Sequence, residues 1–327
     1  MSIDSGESAP VPTGPFLVFP GQGSQRVAMS AHLIERYPLI AGPVLAEADR
    51  VLGLPLAELC ASGSAQELAR TEVAQPAILA TSLATLAVLR ERGLEPAAVA
   101  GHSLGEYTAL VAAGVLTTES ALLLVRERGR LMATVGATTP GAMAAIVGLP
   151  GEQVKELCRA GAAHGVVEVA NYNEPKQTVI SGRVAAVEEV VGLAVAAGAE
   201  RAARLDVSAP FHCSLMEAIE EEFAAEVARH SFRPPRTRFI SSVSGRGVAD
   251  PERIRELLCS QLVEPVLWTQ VLEAAGSGFS EQIEVGPGRV LSGLANRAGT
   301  GLRTRSTNDA RRLAAVAVSL SFLQEVF

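Results

Sequence analysis

The sequence predicts an α/β protein of two domains: a large body around a parallel sheet, and a small domain inserted into it. Three observations lead there. Short apolar strand candidates alternate with helical stretches, which argues for a parallel sheet covered on both faces. Between about residues 140 and 207 the order becomes β-α-β-β-α-β, the ferredoxin-like arrangement. The length, 327 residues with 48% hydrophobic and 19% charged, suits two domains with a sizeable core.

Residues 16–19 form a first apolar strand. It runs into the turn Pro20-Gly21-Gln22-Gly23-Ser24-Gln25, and a helix is expected to start near Ser24. Residues 72–90 are a long apolar-rich helix and 97–101 a second buried strand. Helical patterns follow over 104–113, with Gly114 as the stop, and over 118–132. Residues 136–141 read as a Gly/Thr/Pro loop. The small domain then has strands at 142–149, 166–171, 177–181 and 202–207, and helices at 151–160 and 184–197. It is placed at 140–207, with the large domain formed by 15–139 and 208–327. An inserted domain is tolerated where its ends lie close together at a surface. Beyond it come a helix at 214–229, a strand at 238–242, helical stretches at 249–261 and 268–275, a strand at 282–285 and a helix from 291 to 297.

Composition excludes several classes. The formal charge is -7, a poor basis for general nucleic-acid binding, which needs a phosphate-neutralising surface. Lys155 and Lys176 are the only lysines, so the basic side is almost all arginine. Cys60, Cys158, Cys213 and Cys259 fit neither a CxxC nor a zinc spacing and read as free thiols in a reducing compartment. Residues 1–14 carry Asp4 and Glu7 with no basic segment before an apolar run. They read as a short disordered leader rather than a signal peptide. The uncharged stretch 73–89 contains Gln75, Pro76, Thr81, Ser82 and Thr85 and reads as a buried helix rather than a membrane span. A cytoplasmic protein is expected, with no nucleic-acid or membrane partner.

Gly101-His102-Ser103-Leu104-Gly105 fits G-x-S-x-G, with a strand before it and a helix after it. The glycines permit a sharp turn that lifts the Ser103 hydroxyl above the sheet edge, at a helix N-terminus whose free N–H groups favour developing negative charge. The bland alternative is an ordinary serine cap. A serine nucleophile needs a base. Of five histidines, His102 adjoins the serine, His32 and His230 sit in charged helical stretches expected at the surface, and His164 lies in a Gly/Ala loop. His212, in Ser208-Ala209-Pro210-Phe211-His212-Cys213 between a strand and a helix, is the candidate. Either an acidic side chain or a backbone carbonyl can orient it. Glu264 and Glu284 are the late acidic positions near loop ends. One oxyanion donor would be the N–H of Leu104 and a second would come from the Gly21–Gly23 loop. No dinucleotide fingerprint and no P-loop lysine is present.

Together these pieces resemble the malonyl-CoA:acyl-carrier-protein transacylases and the related acyltransferase domains of polyketide synthases. The residues that carry the resemblance are Phe19-Pro20-Gly21-Gln22-Gly23-Ser24-Gln25, Gln75-Pro76-Ala77, GHSLGE at 101–106, Arg128-Gly129 with Met132, and Asn171-Tyr172-Asn173-Glu174-Pro175-Lys176-Gln177. Phe211-His212, Pro265-Val266 with Trp268, and Glu284-Val285-Gly286-Pro287-Gly288 complete the series in the same order. The resemblance implies an α/β-hydrolase-like large domain and a ping-pong transfer from malonyl-CoA to the phosphopantetheine thiol of an acyl carrier protein. It serves fatty-acid synthesis or polyketide carriers supplied in trans, with no metal or redox cofactor. It implies Ser103 as nucleophile, His212 as base oriented by a backbone carbonyl in the segment holding Glu264, and the N–H groups of Gln22 and Leu104 as oxyanion hole. Arg128 would pair with the malonyl carboxylate. Asn171, Asn173 and Gln177 would line or brace the small-domain side. Leu104 and Phe211 occupy positions where methylmalonyl-selective relatives often carry glutamine and serine, which favours malonyl. The carrier is acidic, so an arginine patch near the cleft is expected, and a monomer is the expectation from the family. Two other readings stay open: a hydrolase clearing acyl groups with the same Ser103 and His212, and a non-catalytic carrier-docking protein.

Overall fold

The computed structural model describes residues 14–207 and 209–324, so the leader up to residue 13, Ser208 and residues 325–327 lie outside the described residues. Its strands are β1 (Phe16–Phe19), β2 (Ala98–Gly101), β3 (Gly141–Val147), β4 (Val167–Glu174), β5 (Gln177–Arg183), β6 (Arg201–Arg204), β7 (Arg238–Ile240), β8 (Glu281–Glu284) and β9 (Arg303–Ser306). They form two sheets. The larger is parallel throughout, in the order β7-β2-β1-β8-β9. The smaller is antiparallel, β4-β5-β3-β6.

The central strand shows why an unbroken apolar run becomes a strand here. Phe16 and Val18 face one cluster with Trp268, Leu291 and Leu294, while Leu17 and Phe19 face the other with Tyr107 and Leu110. With helices on both faces, no position alternates to polar. The helix Thr71–Arg90 is long and apolar enough to cross a membrane by length and composition, but nearly all of it is packed inside the fold. In the small domain the helices Gly151–Gly161 and Val184–Ala196 lie on one side of the sheet and close a separate core around Ile146, Val154, Ile180 and Val190.

Several expectations shift. The helix placed near Ser24 begins only at Ala31, because the Ser24 hydroxyl turns back onto the Gly21 carbonyl at 2.7 Å and closes the glycine turn instead of capping a helix. The helix ending at 132 runs on to Thr138, over part of the expected loop. There Thr134 and Thr138 donate to carbonyls one turn back, Leu131 and Thr134, so they sit within the helix rather than break it. The stretch 214–229 divides into a 3-10 turn, Ser214–Ile219, and a helix, Glu220–Val227. Strand β6 stops at Arg204, and 205–207 belong to the cleft. Three helices between Pro38 and Ala69, strand β9 and the helix Ala310–Gln324 had no counterpart in the sequence reading.

The two sheets are joined next to the predicted base. Val266 donates to the Ala170 carbonyl and Tyr172 to the Val266 carbonyl, both at 2.9 Å, so a large-domain segment pairs with β4. Glu168 on β4 accepts from the Ser214 backbone N–H at 2.7 Å and its hydroxyl at 2.9 Å.

Candidate active site

Ser103 sits between β2 and the helix Gly105–Ala112 with φ 51°, in the left-handed region that costs a non-glycine residue about 1–3 kcal/mol. The glycines on either side explain how the turn closes. A Cβ on Gly101 would lie 1.9 Å from the Gly105 carbonyl carbon, and one on Gly105 would lie 2.0 Å from the Phe19 carbonyl oxygen. The serine is thereby forced out of the chain path and into a cavity of about 270 Å³, whose walls include Gln22, Ala69, Met143, Asn171, Leu205 and Phe211.

His212 approaches from across the cleft, also at positive φ, 57°. Its Nδ1 lies 2.8 Å from the Gln261 carbonyl, which can only accept, so Nδ1 carries the proton. Nε2 is then the acceptor for the Ser103 hydroxyl at 2.7 Å. Burial, and then the Arg128 charge, push the imidazole's pKa down to about 3 against the raising effect of the Gln261 carbonyl. The imidazole is therefore neutral at physiological pH, with Nε2 as an acceptor facing the Ser103 hydroxyl. The expected orienting segment is therefore present, but the carbonyl at 2.8 Å belongs to Gln261; the Glu264 backbone adds a weaker contribution. Neither late glutamate orients the histidine with its side chain. Glu284 instead caps the helix Val290–Arg297, accepting from the N–H groups of Leu291 and Ser292.

Gln261 acts at both ends. Its side-chain N–H group donates to the Ser103 carbonyl at 3.2 Å and to Glu106 at 2.8 Å. Glu106, fully buried behind the turn, also accepts from Ser242 at 2.5 Å. Burial raises the Glu106 pKa, and these donors oppose it. One residue thus fixes the base through its backbone and the nucleophile's backbone through its side chain. Nothing in the sequence spacing marked Gln261, because the contact spans 158 residues.

Arg128, on the inner face of the helix Thr118–Thr138, is 2% exposed. It donates to Ser103 Oγ at 3.0 Å and to Gln75 Oε1 at 2.8 Å, its Nε has no partner, and it makes no ion pair among the described residues. Burial lowers its pKa, yet a guanidinium stays charged in proteins. Its nearby support is indirect, the charge of Glu106 behind the turn and the Tyr107 ring 5.7 Å beneath it, and a buried cation with no direct ion pair, facing a cavity, is costly unless a ligand supplies the anion.

The remaining predicted residues fall on both sides of the wall. Met132 and Phe211 line the cavity, and so does Asn171. Asn173 Oδ1 accepts from His102 Nε2 at 2.8 Å, and His102 packs on Trp268 and reaches the cavity too. Gln177 stands outside the cavity and accepts from Arg297 at 2.9 Å. The Leu104 side chain is wholly buried in the core and does not line the cavity, so it bears on acyl size only through the turn it packs under. The backbone N–H groups of Leu104 and Gln22 donate to no acceptor among the described residues. His32 and His230 are half-buried rather than surface residues. Gln75 and Thr71, on the helix under Arg128, had been given no role by the sequence reading.

The chain matches the acyl transferase domain family over residues 16–310. It is 41% identical over 300 residues to the malonyl CoA-acyl carrier protein transacylase of Escherichia coli (strain K12), covering 91% of this chain and 97% of that one. To the Bacillus subtilis (strain 168) protein of the same description it is 40% identical over 294 residues, 89% and 92% of the two chains. Among solved structures, an acyl carrier protein S-malonyltransferase from Vibrio cholerae superposes with TM-score 0.88 at 43% identity, covering 92% of this chain and 99% of that one. A malonyl-transacylase in complex with its type II polyketide acyl-carrier protein superposes with TM-score 0.90 at 39% identity, covering 94% and 100%.

Proposed function

The chain belongs to the malonyl-CoA:acyl-carrier-protein transacylases within the acyl transferase domain family, and from that membership we propose how its residues divide the reaction. The protein transfers a malonyl group from malonyl-CoA to the phosphopantetheine thiol of an acyl carrier protein.

Ser103 Oγ attacks the thioester carbonyl carbon while His212 Nε2 takes its proton. The oxyanion of the tetrahedral intermediate is met by the free N–H groups of Gln22 and Leu104, preorganised where charge develops. The C–S bond breaks, the proton returns from His212 to the CoA sulfur, and malonyl-serine remains. In the second half the pantetheine thiol gives its proton to His212, attacks the ester, and Ser103 leaves with that proton. This is ping-pong chemistry through a covalent acyl-enzyme.

The observation that carries the reading is Arg128: buried, with no direct ion pair among the described residues, and 3.0 Å from Ser103 Oγ. A malonyl carboxylate supplies the missing anion through paired N–H···O bonds, whereas acetyl leaves the guanidinium without one. A hydrolase of neutral acyl groups gains nothing from that cation. Phe211 fills the wall where an α-methyl group would need room. The small domain, taken as 140–207, closes the cleft beside His212 and keeps water from the malonyl ester. Arg26 and Arg70, exposed and next in sequence to the cavity residues Gln25 and Ala69, are our candidates for the arginines that meet an acidic carrier, although Arg70 also pairs with Glu72 and Arg26 with the Asn308 carbonyl. The four cysteines are unpaired, in keeping with a cytoplasmic enzyme, and we take the protein to act as a monomer without a resident cofactor.

The test is intact mass after brief exposure to malonyl-CoA, methylmalonyl-CoA or acetyl-CoA, for the parent and for Ser103→Ala. A malonyl adduct that is absent from Ser103→Ala and passes to an added carrier protein is expected. CoA release with neither adduct nor loaded carrier would replace the transferase reading by a hydrolase. An adduct chiefly from acetyl-CoA would overturn the role given to Arg128.

A further inference from the structure

We infer that Thr71 is a positioning residue: through Gln75 it ties the Arg128 guanidinium to the Gln22 side chain, and so holds the oxyanion loop in register with the group that reads the carboxylate. The inference rests on the roles proposed above for Arg128 and Gln22.

The direction of every bond in this chain follows from one charge. A guanidinium carries donors only. Gln75 must therefore present Oε1 to Arg128, at 2.8 Å, which turns its Nε2 toward Thr71 Oγ1 at 3.0 Å. A hydroxyl that accepts there has one proton left to give, and Thr71 gives it to Gln22 Oε1 at 2.8 Å. Thr71 and Gln75 are as buried as Arg128 itself. Water is thus excluded as a substitute partner for Gln75 and Thr71, and the two bonds joining Arg128, Gln75 and Thr71 cannot reverse without leaving a buried group unsatisfied, while Gln22 itself is half-buried on the cavity wall.

Two further features make the link more than packing. The helix carrying Arg128 touches the start of the helix carrying Thr71 through Gly129, where a Cβ would lie 2.9 Å from Glu72 Cα and 3.0 Å from the Thr71 carbonyl oxygen. Arg128 and Thr71 are thereby held at fixed separation. Gln22, in contrast, sits in a glycine turn, and its bond from Thr71 is the only hydrogen bond it makes among the described residues. The rest of the turn packs closely, Gly21 on the His102 carbonyl and Ser24 on Gly288, but the residue that presents the N–H to the oxyanion is hydrogen-bonded to the wall only through Thr71 among the described residues.

Arg128 meets the carboxylate in the bound substrate and in the transition state alike. The Gln22 N–H meets full negative charge only in the transition state. Losing the tether should therefore lower kcat and spare KM. The test pairs Thr71→Val, which keeps the shape and loses the hydroxyl, with Thr71→Ser, which does the reverse. Malonyl-serine formation is followed by rapid quench and intact mass across malonyl-CoA concentrations, with thermal unfolding as a check on folding. Thr71→Val should slow acylation at saturation by about 10- to 100-fold, below the full loss of an oxyanion donor, with KM changed less than about threefold. Thr71→Ser should return to within about threefold of the parent. Parent-like acylation by Thr71→Val, equal slowing by Thr71→Ser, or a loss confined to KM would each overturn the inference. Should Thr71→Val fold poorly, Gln22→Met removes the acceptor and keeps the N–H. It should show the same loss of kcat, and an unchanged kcat there would overturn the inference equally. A parent enzyme that forms no Ser103-dependent malonyl adduct would mark failure of the transacylase reading itself, and is seen before any variant is compared.

Discussion

Ser103 and His212 both stand at positive φ, but they are held there by opposite means. Ser103 is fixed by exclusion. The turn lies between two glycines that already touch β1 and the following helix, and no side chain could be added to either without displacing backbone. His212 is fixed by tethers drawn from far along the chain: the Gln261 carbonyl on one side of the ring, and two residues onward the Glu168–Ser214 latch to the small domain. A strained residue persists only where its surroundings over-determine it. The elbow shows that close packing of a few neighbouring residues suffices, and the histidine loop shows that distant hydrogen bonds can do the same.

The largest test of this contrast is Gly105→Ala. Its Cβ would fall 2.0 Å from the Phe19 oxygen and 2.7 Å from the Phe19 carbon, both backbone atoms of a fully buried strand. A loss above about 4 kcal/mol, or no folded protein, is expected in urea denaturation. Near-parent stability would show that the elbow is not held by exclusion.

Next comes Arg128→Ala, expected to lower kcat/KM for malonyl-CoA by about 100-fold while acetyl-CoA loses far less, as measured by initial rates. This change also reports on the base. Burial is the main cause of the low His212 pKa and the Arg128 charge the second. With that charge gone the folded-state pKa rises from about 3 toward the ordinary 6.5, so the acid limb of the remaining acylation moves to higher pH. In the parent, a folded pKa below the unfolded one means that stability is kept above about pH 6.5 and lost as pH falls toward 3. Arg128→Ala should narrow that window from below.

On the tethered side, Glu168→Ala removes the acceptor for both Ser214 donors. About 1–3 kcal/mol of stability should be lost, with a fall in kcat because His212 lies two residues away. A stability loss with unchanged kcat would confine the latch to folding. The smallest effect separates Ser103→Gly from Ser103→Ala. Both abolish acylation, but glycine relieves the positive φ, so it should be the more stable by about 1 kcal/mol in the same denaturation assay.

The contrast also governs what could be read in advance. The elbow was legible because its determinants, Gly101, Ser103 and Gly105, lie within five positions and have one physical meaning together. The alternating small domain was legible for a similar reason: each strand and helix of it states its own period. Helix ends were less legible, because Thr134 and Thr138 look like loop residues until their hydroxyls find carbonyls inside the helix. The helices over Pro38–Ala69 went unread although Pro38, Gly53 and the Ser64–Glu67 capping box mark some of their ends, and what they pack on, the helix Thr71–Arg90, lies beyond any local period.

By itself the sequence determined the α/β class, the inserted sheet, the serine turn and the types of residue available for acyl transfer, because these depend on local periodicity and on steric rules within a few residues. Only the tertiary structure decided that Gln261 rather than Glu264 supplies the nearest carbonyl, that Leu104 leaves the cavity to Phe211, and that Arg128 stands buried, with no direct ion pair among the described residues, at hydrogen-bond distance from Ser103. Each of those is a contact between groups tens of residues apart, whose partners are chosen by burial, where every charge and donor must find an acceptor and water cannot supply one.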